Sequence, residues 1–475
     1  MQYSIVNFSE FKADDFRIDA EYWHPDFIEN AHLVSPHQKM RDFVSSDILN
    51  IKSTPINRDF EYLGSSQISL KSFEYKTTRV QLGEEPERAY HLLEKGDVVV
   101  STVMPDQNAV ALIETDGVVG SSDLAVLRSN SIQPEYLLAF CKTTYFVNCL
   151  IRANKGSLYP AVSIRDVLDT ALFVPSDSFE ALIVKAVKTS IFDIDRSKQI
   201  YAQAESLLLS ELGLANWRPK SQLTFVKNFS DMQRAGRIDS DYFQPRYEQV
   251  VNAIRNHPGG SDTLGNLVTL KQCTEVKMLE DLGEGIPFVR VSDLSPFEIT
   301  KEKYISKELY TEMQEHQPQK DEILLSKDGT PGIAYYFRKR PKRMIPSSGI
   351  LRLKSDTDKV GREYLTLVLN SILTQEQVQR DVAGSSLIPR WRLDQVAATL
   401  IPFLLKEKQI EIEQSISESF RLRNGSKKLL EHVKKTVEIA IEQGERAASN
   451  WLESIRRNRN RQDGMKTRNG TYYAN

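Results

Sequence analysis

The side chains best suited to chemistry in this chain are cations that stand beside aromatic rings. Residues 335–343 read Tyr-Tyr-Phe-Arg-Lys-Arg-Pro-Lys-Arg. Cations mixed with aromatics suit contacts with phosphates and with base edges, although a solvated hairpin tip would look the same. We take as candidate DNA contacts Tyr335, Tyr336, Arg338, Lys339, Arg340, Lys342 and Arg343.

Two nearby segments add to this set. Residues 327–332 read Lys-Asp-Gly-Thr-Pro-Gly, a tight turn that can bring backbone amides close to a phosphate. Arg290 and Ser292 alternate with apolar residues in a predicted strand over 288–293, so they would share one face. The candidates here are Arg290, Ser292, Lys327 and Thr330.

The first half of the chain offers amides and hydroxyls instead of cations. Asn and Gln can pair bidentately with adenine, as Arg and Lys can with guanine, but ordinary turn chemistry explains such residues equally well. These candidates are Ser65, Ser66, Gln67, Thr102, Gln107 and Asn108. Basic residues also flank two similar Gly/Ser loops, as possible phosphate contacts: Arg152, Lys155, Arg390 and Arg392.

Motifs for catalysis or for a bound cofactor do not occur in the sequence. It contains no G-x-x-x-x-G-K-[ST] loop and no G-x-G-x-x-G turn. The seven histidines are dispersed, with no H-E-x-x-H or C-x-x-C, so no zinc site is expected. We expect a non-catalytic chain that itself binds no cofactor and no metal.

Composition indicates a soluble, cytoplasmic protein. No apolar run approaches the roughly 18 residues that span a bilayer, and the N-terminus does not resemble a signal peptide. Three cysteines in 475 residues are too few for a disulfide framework. A net charge of −2 argues mildly against nucleic acid, but total charge hides its distribution over the surface.

The strongest signal is an internal duplication. Arg-Ile-Asp-Ala-Glu-Tyr-Trp-His-Pro at 17–25 returns as Arg-Ile-Asp-Ser-Asp-Tyr-Phe-Gln-Pro at 237–245. Other segments return in the same order, among them Gly-Ser-Leu-Tyr-Pro at 156–160 and Ser-Ser-Leu-Ile-Pro at 385–389. Chance does not repeat several segments in one order.

Each half predicts a β-rich domain followed by a long helix. Apolar residues in steps of three and four, such as Val187, Ile194 and Leu208, mark one seam of the first helix. The second seam is polar in its middle, at Ser419, Arg423 and Ser426, which predicts an exposed or partner-bound stretch. The predicted regions are 1–39 (start of repeat 1), 40–174 (β-rich), 175–213 (helix), 214–261 (linker and start of repeat 2), 262–402 (β-rich), 403–444 (helix) and 445–475 (a basic, disordered tail).

These features predict an α+β fold: two β-rich domains in a pseudo-twofold tandem repeat, separated by two long helices packed as an antiparallel coiled coil. A helix of about 38 residues is roughly 57 Å long at 1.5 Å per residue. Such a pair would hold two base-reading domains apart by one to two turns of DNA, each about 34 Å.

The pattern resembles the specificity subunits of type I restriction–modification systems. The resemblance rests on the duplicated R-I-D-x-[ED]-Y-[WF]-x-P segment, on residues 321–332 and on Leu-Gly-Leu-Ala-Asn-Trp-Arg-Pro at 212–219. It implies two target recognition domains that read a split site in double-stranded DNA. It also implies partners: two methyltransferase subunits and restriction/translocase subunits, which would use S-adenosylmethionine, ATP and Mg.

The first β-rich domain departs from this pattern. Thr-Val-Met-Pro-Asp at 102–106 has no glycine turn, which predicts a loop of different shape.

The alternative functions are the recognition subunit of a related methylation-based phage-defence system or of a fused methyltransferase–nuclease, a non-DNA coiled-coil scaffold, and an enzyme in its own right. The chain carries no indication of its target sequence.

Overall fold

The protein has a mixed α and β structure, seen in a computed structural model. It describes residues 17, 19–34, 38–45, 48–70, 72–154, 159–274, 284–300, 303–355, 359–384 and 388–455. The chain divides into two compact units, which we call unit 1 (residues 1–195 and 423–475) and unit 2 (residues 196–422).

Unit 1 is built around two four-stranded sheets. Its elements are α1 (Pro25–Leu33), β1 (Val44–Ser45), β2 (Phe60–Leu63), β3 (Thr78–Val80), β4 (Ala89–Leu93), β5 (Val98–Ser101), β6 (Val110–Leu112), β7 (Val118–Ser121), β8 (Leu124–Ser129), α2 (Pro134–Cys141), α3 (Thr144–Ala153), α4 (Ile164–Leu168), the first part of α5 (Asp177–Glu211) and the last part of α13 (Lys406–Gln443). One sheet has the order β1-β8-β5-β6 and is antiparallel throughout. The other has the order β3-β2-β7-β4, in which β2 and β7 are parallel.

Unit 2 has a related sheet order. Its elements are the rest of α5, α6 (Phe229–Ala235), α7 (Pro245–Arg255), β9 (Ser261–Thr263), α8 (Leu264–Leu267), β10 (Val268–Gln272), β11 (Ile286–Val289), β12 (Tyr304–Ile305), α9 (Lys307–Glu312), β13 (Glu322–Ser326), β14 (Ala334–Tyr336), β15 (Ile345–Pro346), β16 (Ile350–Ser355), α10 (Arg362–Asn370), α11 (Ile372–Val382), α12 (Leu393–Ala398), β17 (Leu400–Pro402) and the first part of α13 (Lys406–Gln443). Its antiparallel sheet has the order β10-β16-β13-β14, and in the sheet β12-β11-β15 the strands β11 and β15 are parallel.

An arginine–carboxylate pair links equivalent strands in both antiparallel sheets, although the two arginines lie at different register positions. In unit 1, Arg128 on β8 donates to both carboxylate oxygens of Asp97 at 2.8 Å. In unit 2, Arg352 on β16 donates to Glu322 at 2.9 and 3.0 Å. Both carboxylates are buried, so the paired arginine is what makes their charge tolerable there.

The long helices meet through polar groups inside each unit. In unit 1 the hydroxyls of Ser190 and Ser426 lie 2.5 Å apart, and in unit 2 those of Ser197 and Ser419 lie 3.0 Å apart. Arg423 donates to Glu74 at 3.0 Å. The predicted exposure of this polar stretch is therefore wrong: the serines find hydrogen-bond partners across the helix pair, and the serines and Arg423 are buried.

The predicted disordered tail also needs correction. Residues 445–455 are helical; they bury Leu452 and place Ala448 in the unit 1 core. Glu445 accepts a hydrogen bond from Ser176 N at 2.7 Å, just before the start of α5. The rest of the predicted tail, 456–475, lies outside the described residues.

Candidate nucleic-acid interface

The duplicated sequence motif fastens a turn to the end of a helix. In unit 1, Arg17 donates to both carboxylate oxygens of Asp19 at 2.8 and 2.9 Å. It also donates to the carbonyl of Asn154, which caps α3, at 3.0 Å. Its guanidinium lies 4.7 Å from the ring centre of Tyr22, and Arg152 covers that ring at 4.4 Å. Carbonyls at a helix C-terminus lack helical partners and attract cations, so Arg17 suits this position.

Unit 2 repeats this arrangement. Arg237 donates to Asp239 at 2.7 and 2.9 Å and to the carbonyl of Ala383, which caps α11, at 2.6 Å. It lies 4.6 Å from the ring centre of Tyr242. The side-chain hydrogen bond to the arginine is the main cause that lowers the pKa of Asp239, and Arg17 does the same for Asp19. The motif thus fixes the helix that leads into each Gly/Ser loop.

Residues 102–108, which we call loop 1, follow β5. Met104 and Asn108 both adopt left-handed backbone conformations, with φ of 48° and 53°. Val103 forms a β-bridge with Ala161, and Met104 N donates to the carbonyl of Pro160 at 2.8 Å. The returning chain at 160–162 therefore lies against the loop.

Residues 327–332, which we call loop 2, follow β13 and make the same backbone contacts. Asp328 forms a bridge with Arg390, and Gly329 N donates to the carbonyl of Pro389 at 2.9 Å. Gly329 and Gly332 are left-handed, with φ of 70° and 93°. Met104 thus occupies the place of Gly329, and the two loops agree as far as this turn. The expected difference in shape follows it: loop 1 continues as the 3-10 turn Pro105–Gln107, and its second left-handed residue comes four positions later, compared with three in loop 2. A methionine takes a conformation that glycine adopts without strain.

A short 3-10 turn accompanies each loop. Gln67 Oε1 accepts from Gly64 N at 2.6 Å in the turn Ser65–Gln67. Asp293 Oδ2 accepts from Arg290 N at 2.8 Å in the turn Val291–Asp293. The predicted strand over 288–293 therefore ends at Val289, and the predicted alternation of Arg290 and Ser292 on one face is wrong.

In unit 1 this turn and loop 1 converge on Asp123, which sequence reasoning missed. Its carboxylate accepts from Ser65 Oγ at 2.9 Å and lies 3.4 Å from Arg88. Its backbone carbonyl accepts from the hydroxyl of Thr102 at 2.8 Å. Thr102 is buried, so the structure gives it a structural role in place of the predicted base contact. Nothing in the sequence distinguishes Asp123 among 64 acidic residues.

The other unit 1 candidates divide by exposure. Ser66 and Gln107 are exposed. Gln67 also donates to Thr78 at 2.7 Å, and Asn108 donates to the carbonyl of Lys142 at 3.1 Å, so both amides are bound within the unit. Lys155 lies outside the described residues.

In unit 2 the same elements bring cations together. Arg290 pairs with the buried Asp293 at 2.9 Å, and Lys327 pairs with Asp328 at 2.6 Å. Arg390, across the bridge from Asp328, is exposed. Exposed hydroxyls lie on the same two elements, at Ser292 and Thr330.

The basic residues that flank the two Gly/Ser loops do not lie at equivalent positions. Arg390 corresponds through its bridge to Ala161. Arg392 and Ser163 are both N-cap residues, of α12 and α4 respectively. Arg392 is exposed and pairs with Asp394 at 2.9 Å. Arg152 lies instead within α3, before its loop.

The basic segment 338–343 does not join this cluster. The carbonyl of Phe337 accepts from Asp321 N at 2.9 Å, so Phe337 lies at the start of β13, whereas loop 2 follows the end of β13. The five residues of β13, at about 3.4 Å each, separate the start of the basic segment from loop 2 by about 17 Å. The exposed cations of this segment are Lys339, Arg340, Lys342 and Arg343.

Arg338 and the two tyrosines are held inside unit 2. Arg338 Nε donates to Glu363 at 2.8 Å, and its guanidinium lies 3.4 Å from the ring centre of Phe420 on α13. Tyr336 is buried and donates to Asp321 at 2.9 Å; burial, followed by that hydrogen bond, raises its pKa. Tyr335 is half-buried, with its ring centre 5.2 Å from that of Phe337. These three residues therefore have structural contacts in place of the predicted DNA contacts.

The described residues contain no group of three or more His, Cys, Asp or Glu side chains placed to hold a metal ion. None of the helices among them has the length and apolar character needed to cross a membrane.

Solved chains of type I restriction–modification systems, the systems that the sequence resembles, are similar to this chain over most of its length at low identity. The HsdS subunit from Thermoanaerobacter tengcongensis is 18% identical, over 86% of this chain and 96% of that chain, with a TM-score of 0.32. A chain from a study of assembly and conformational transition of the type I R-M system is 18% identical, over 86% and 97%, at 0.32. The type I S subunit from M. genitalium is 12% identical, over 89% and 93%, at 0.33. No family model and no curated protein matches the chain.

Proposed function

We propose that this protein is the DNA sequence-specificity subunit of a type I restriction–modification complex. Loop 1 and loop 2 share one backbone design, with the same bridge, the same carbonyl contact and the same left-handed turn. Their side chains differ, however, and that single observation carries the proposal: two readers on one scaffold would recognise two different half-sites.

The unit 2 reader presents more cations than the unit 1 reader, which presents hydroxyl and amide groups together with Arg88 and Asp106. Arg290, Lys327 and Arg390 would contact guanine edges or phosphates, whereas Ser66 and Gln107 would contact bases through hydroxyl and amide groups. Two short half-sites of different sequence would result. The basic segment 338–343, at the other end of β13, would supply phosphate contacts through its exposed cations.

The long helices α5 and α13 would separate the two readers. The serine pairs within each unit fit an antiparallel coiled coil, because Ser190 meets Ser426 while the later Ser197 meets the earlier Ser419. In a tandem repeat of this kind the helices would set the number of unread bases between the half-sites.

Catalysis would belong to partner subunits. Two methyltransferase subunits would supply S-adenosylmethionine chemistry, and restriction/translocase subunits would use ATP and Mg. The buried carboxylates of Asp97 and Glu322 are each paired with an arginine, and this fits a structural role better than a hydrolytic one.

Methylation mapping of a genome in cells that express this chain with its partner methyltransferase tests the proposal. We expect one split motif, methylated in both half-sites. Replacement of Arg290 by Ala should relax one half-site only, while the control Arg234→Ala, on α6, leaves the motif unchanged. A complex that prefers no duplex over random DNA at physiological salt would favour a coiled-coil scaffold, and activity from the isolated chain would favour an enzyme.

The type of system needs a separate observation. Neighbouring genes that encode separate modification and restriction subunits would support a type I complex. One fused methyltransferase–nuclease gene would instead assign the chain to a related defence system.

A further inference from the structure

Three cations in unit 1 surround a single carboxylate. Asp169, the C-cap of α4, lies 3.3 Å from Lys39 Nζ and 3.6 Å from Arg165 Nε, and it also pairs with Arg41. Lys39 and Arg41 each expose 43% of their side chains, and Arg165 exposes 79%. One carboxylate cannot neutralise three accessible cations, so positive charge remains there.

The other charged groups nearby do not remove that excess. Asp166 is taken up by capping α4, because it accepts from Ser163 N at 2.8 Å and Ser163 Oγ at 2.7 Å. Arg152 donates its Nε to the carbonyl of Tyr22, and no carboxylate among the described residues pairs with it. Counted together, four cations face two carboxylates.

These groups line one cavity of about 570 Å³, which we call the Asp169 pocket. Its lining includes Lys39, Arg41, Arg152 and Arg165, together with apolar groups such as Phe27 and Ala153. Its volume lies in the range of ligand pockets, roughly 300–1,000 Å³. A ligand with an anionic end and a less polar body would fit this lining.

We propose that the Asp169 pocket binds a phosphate group, carried either by a free nucleotide or by a DNA backbone. A phosphate carries up to two negative charges and several acceptor oxygens, and arginine forks match its geometry. Arg41 and Arg165 are the main contacts, and Lys39 and Arg152 add charge. This site would act in addition to the base contacts of the proposed function, because its charged side chains lie outside loop 1 and outside the turn Ser65–Gln67.

Calorimetry with the full chain and adenosine monophosphate or inorganic pyrophosphate as probes tests the free-ligand source. The double variant Arg41→Ser/Arg165→Ser should weaken binding about tenfold, since it removes two partly exposed ion contacts. Asp169→Asn should tighten binding, because it removes the competing carboxylate. The matched control is Arg234→Ser in unit 2, whose arginine is 78% exposed and also pairs with a carboxylate on its own helix.

A salt titration of duplex DNA binding tests the backbone source. If the free probes do not bind, the double variant should make the fall of log affinity with log salt less steep. The magnitude of the slope should drop by about two, one for each lost phosphate contact. The control should leave the slope unchanged. Circular dichroism checks that each variant is folded.

The outcomes separate this proposal from the proposed function. If the double variant weakens probe binding and Asp169→Asn tightens it, the result supports a nucleotide site. A lowered DNA slope without probe binding supports a backbone phosphate. Unchanged binding of both probes and DNA in the double variant overturns the pocket, and a methylated split motif would still stand in that case.

Discussion

Loop 1 in unit 1 and loop 2 in unit 2 carry different side chains on one backbone design. Where loop 2 has Gly329 in a left-handed conformation and Arg390 across the bridge, unit 1 has Met104 and Ala161. The contacts that hold both loops run between backbone atoms, such as Met104 N to the carbonyl of Pro160. Backbone contacts leave side chains free to vary, so the two sites can differ in charge without a change of scaffold.

The regions behind the loops differ in burial as well. Arg352 and Glu322 expose 4% and 2% of their side chains, whereas Arg128 exposes 22% and has a second partner in Glu94 at 2.8 Å. The same pair is therefore enclosed in unit 2 and partly solvated in unit 1.

The largest effect is expected where a buried charge loses its partner. Replacement of Glu322 by Ala should lower the free energy of unfolding of unit 2 by about 3–5 kcal/mol, because Arg352 is left buried and unpaired. The matched change Asp97→Ala should cost about half of that, since Arg128 keeps Glu94 and some water. Hydrogen exchange of residues 350–355 and 124–129 measures the two losses, and equal losses would remove the contrast.

A smaller loss of stability is expected at Arg338. Its replacement by Ala removes the ion pair with Glu363 and the contact with Phe420, which should cost about 2 kcal/mol. The salt dependence of DNA binding should not change, because this guanidinium is held inside unit 2. Chemical denaturation and a salt titration check both points.

The neighbouring Arg340 is the control for that experiment. It is exposed, so Arg340→Ala should leave stability unchanged and, if the segment contacts phosphate, lower the salt slope by about one. A lowered slope for Arg338→Ala in a folded protein would return Arg338 to the interface.

The sequence was a good guide where structure follows a repeated pattern. The apolar seam at Val187, Ile194 and Leu208 lies in α5, and all three side chains are buried. The mixture of helices and strands follows from the same local patterns. Periodicity is a local property, so it can be read without knowledge of distant contacts.

Side-chain environment could not be read in the same way. Arg338 and Arg340 are two residues apart in one basic segment, yet only Arg338 meets Phe420, 82 residues further along the chain. The role of Asp123 follows only from the tertiary structure, which brings Ser65 and Thr102 into contact with it. Which cation is free and which is structural depends on contacts between distant residues, which composition does not reveal.

An exchange of charge between the two loops would test their difference directly. Arg390→Ala should weaken DNA binding severalfold and lower the salt slope by about one, through the loss of one phosphate contact. Ala161→Arg, at the corresponding position of unit 1, should raise the slope by about one. Arg421→Ala, on α13, is the control. If Ala161→Arg leaves the slope unchanged in a folded protein, the bridge position of unit 1 does not face DNA.

The smallest effect concerns the left-handed turn itself. A non-glycine residue in this conformation is strained by about 1–2 kcal/mol, part of which glycine offsets by its greater freedom in the unfolded chain. Met104→Gly should therefore stabilise unit 1 by about 0.5 kcal/mol, and Gly329→Met should destabilise unit 2 by about 1 kcal/mol. A Cβ at Gly329 would meet nothing within 4 Å, so the loss there would come from the backbone alone. Thermal unfolding of the two variants measures both signs, and a destabilising Met104→Gly would show that the methionine side chain contributes more than its strained backbone costs.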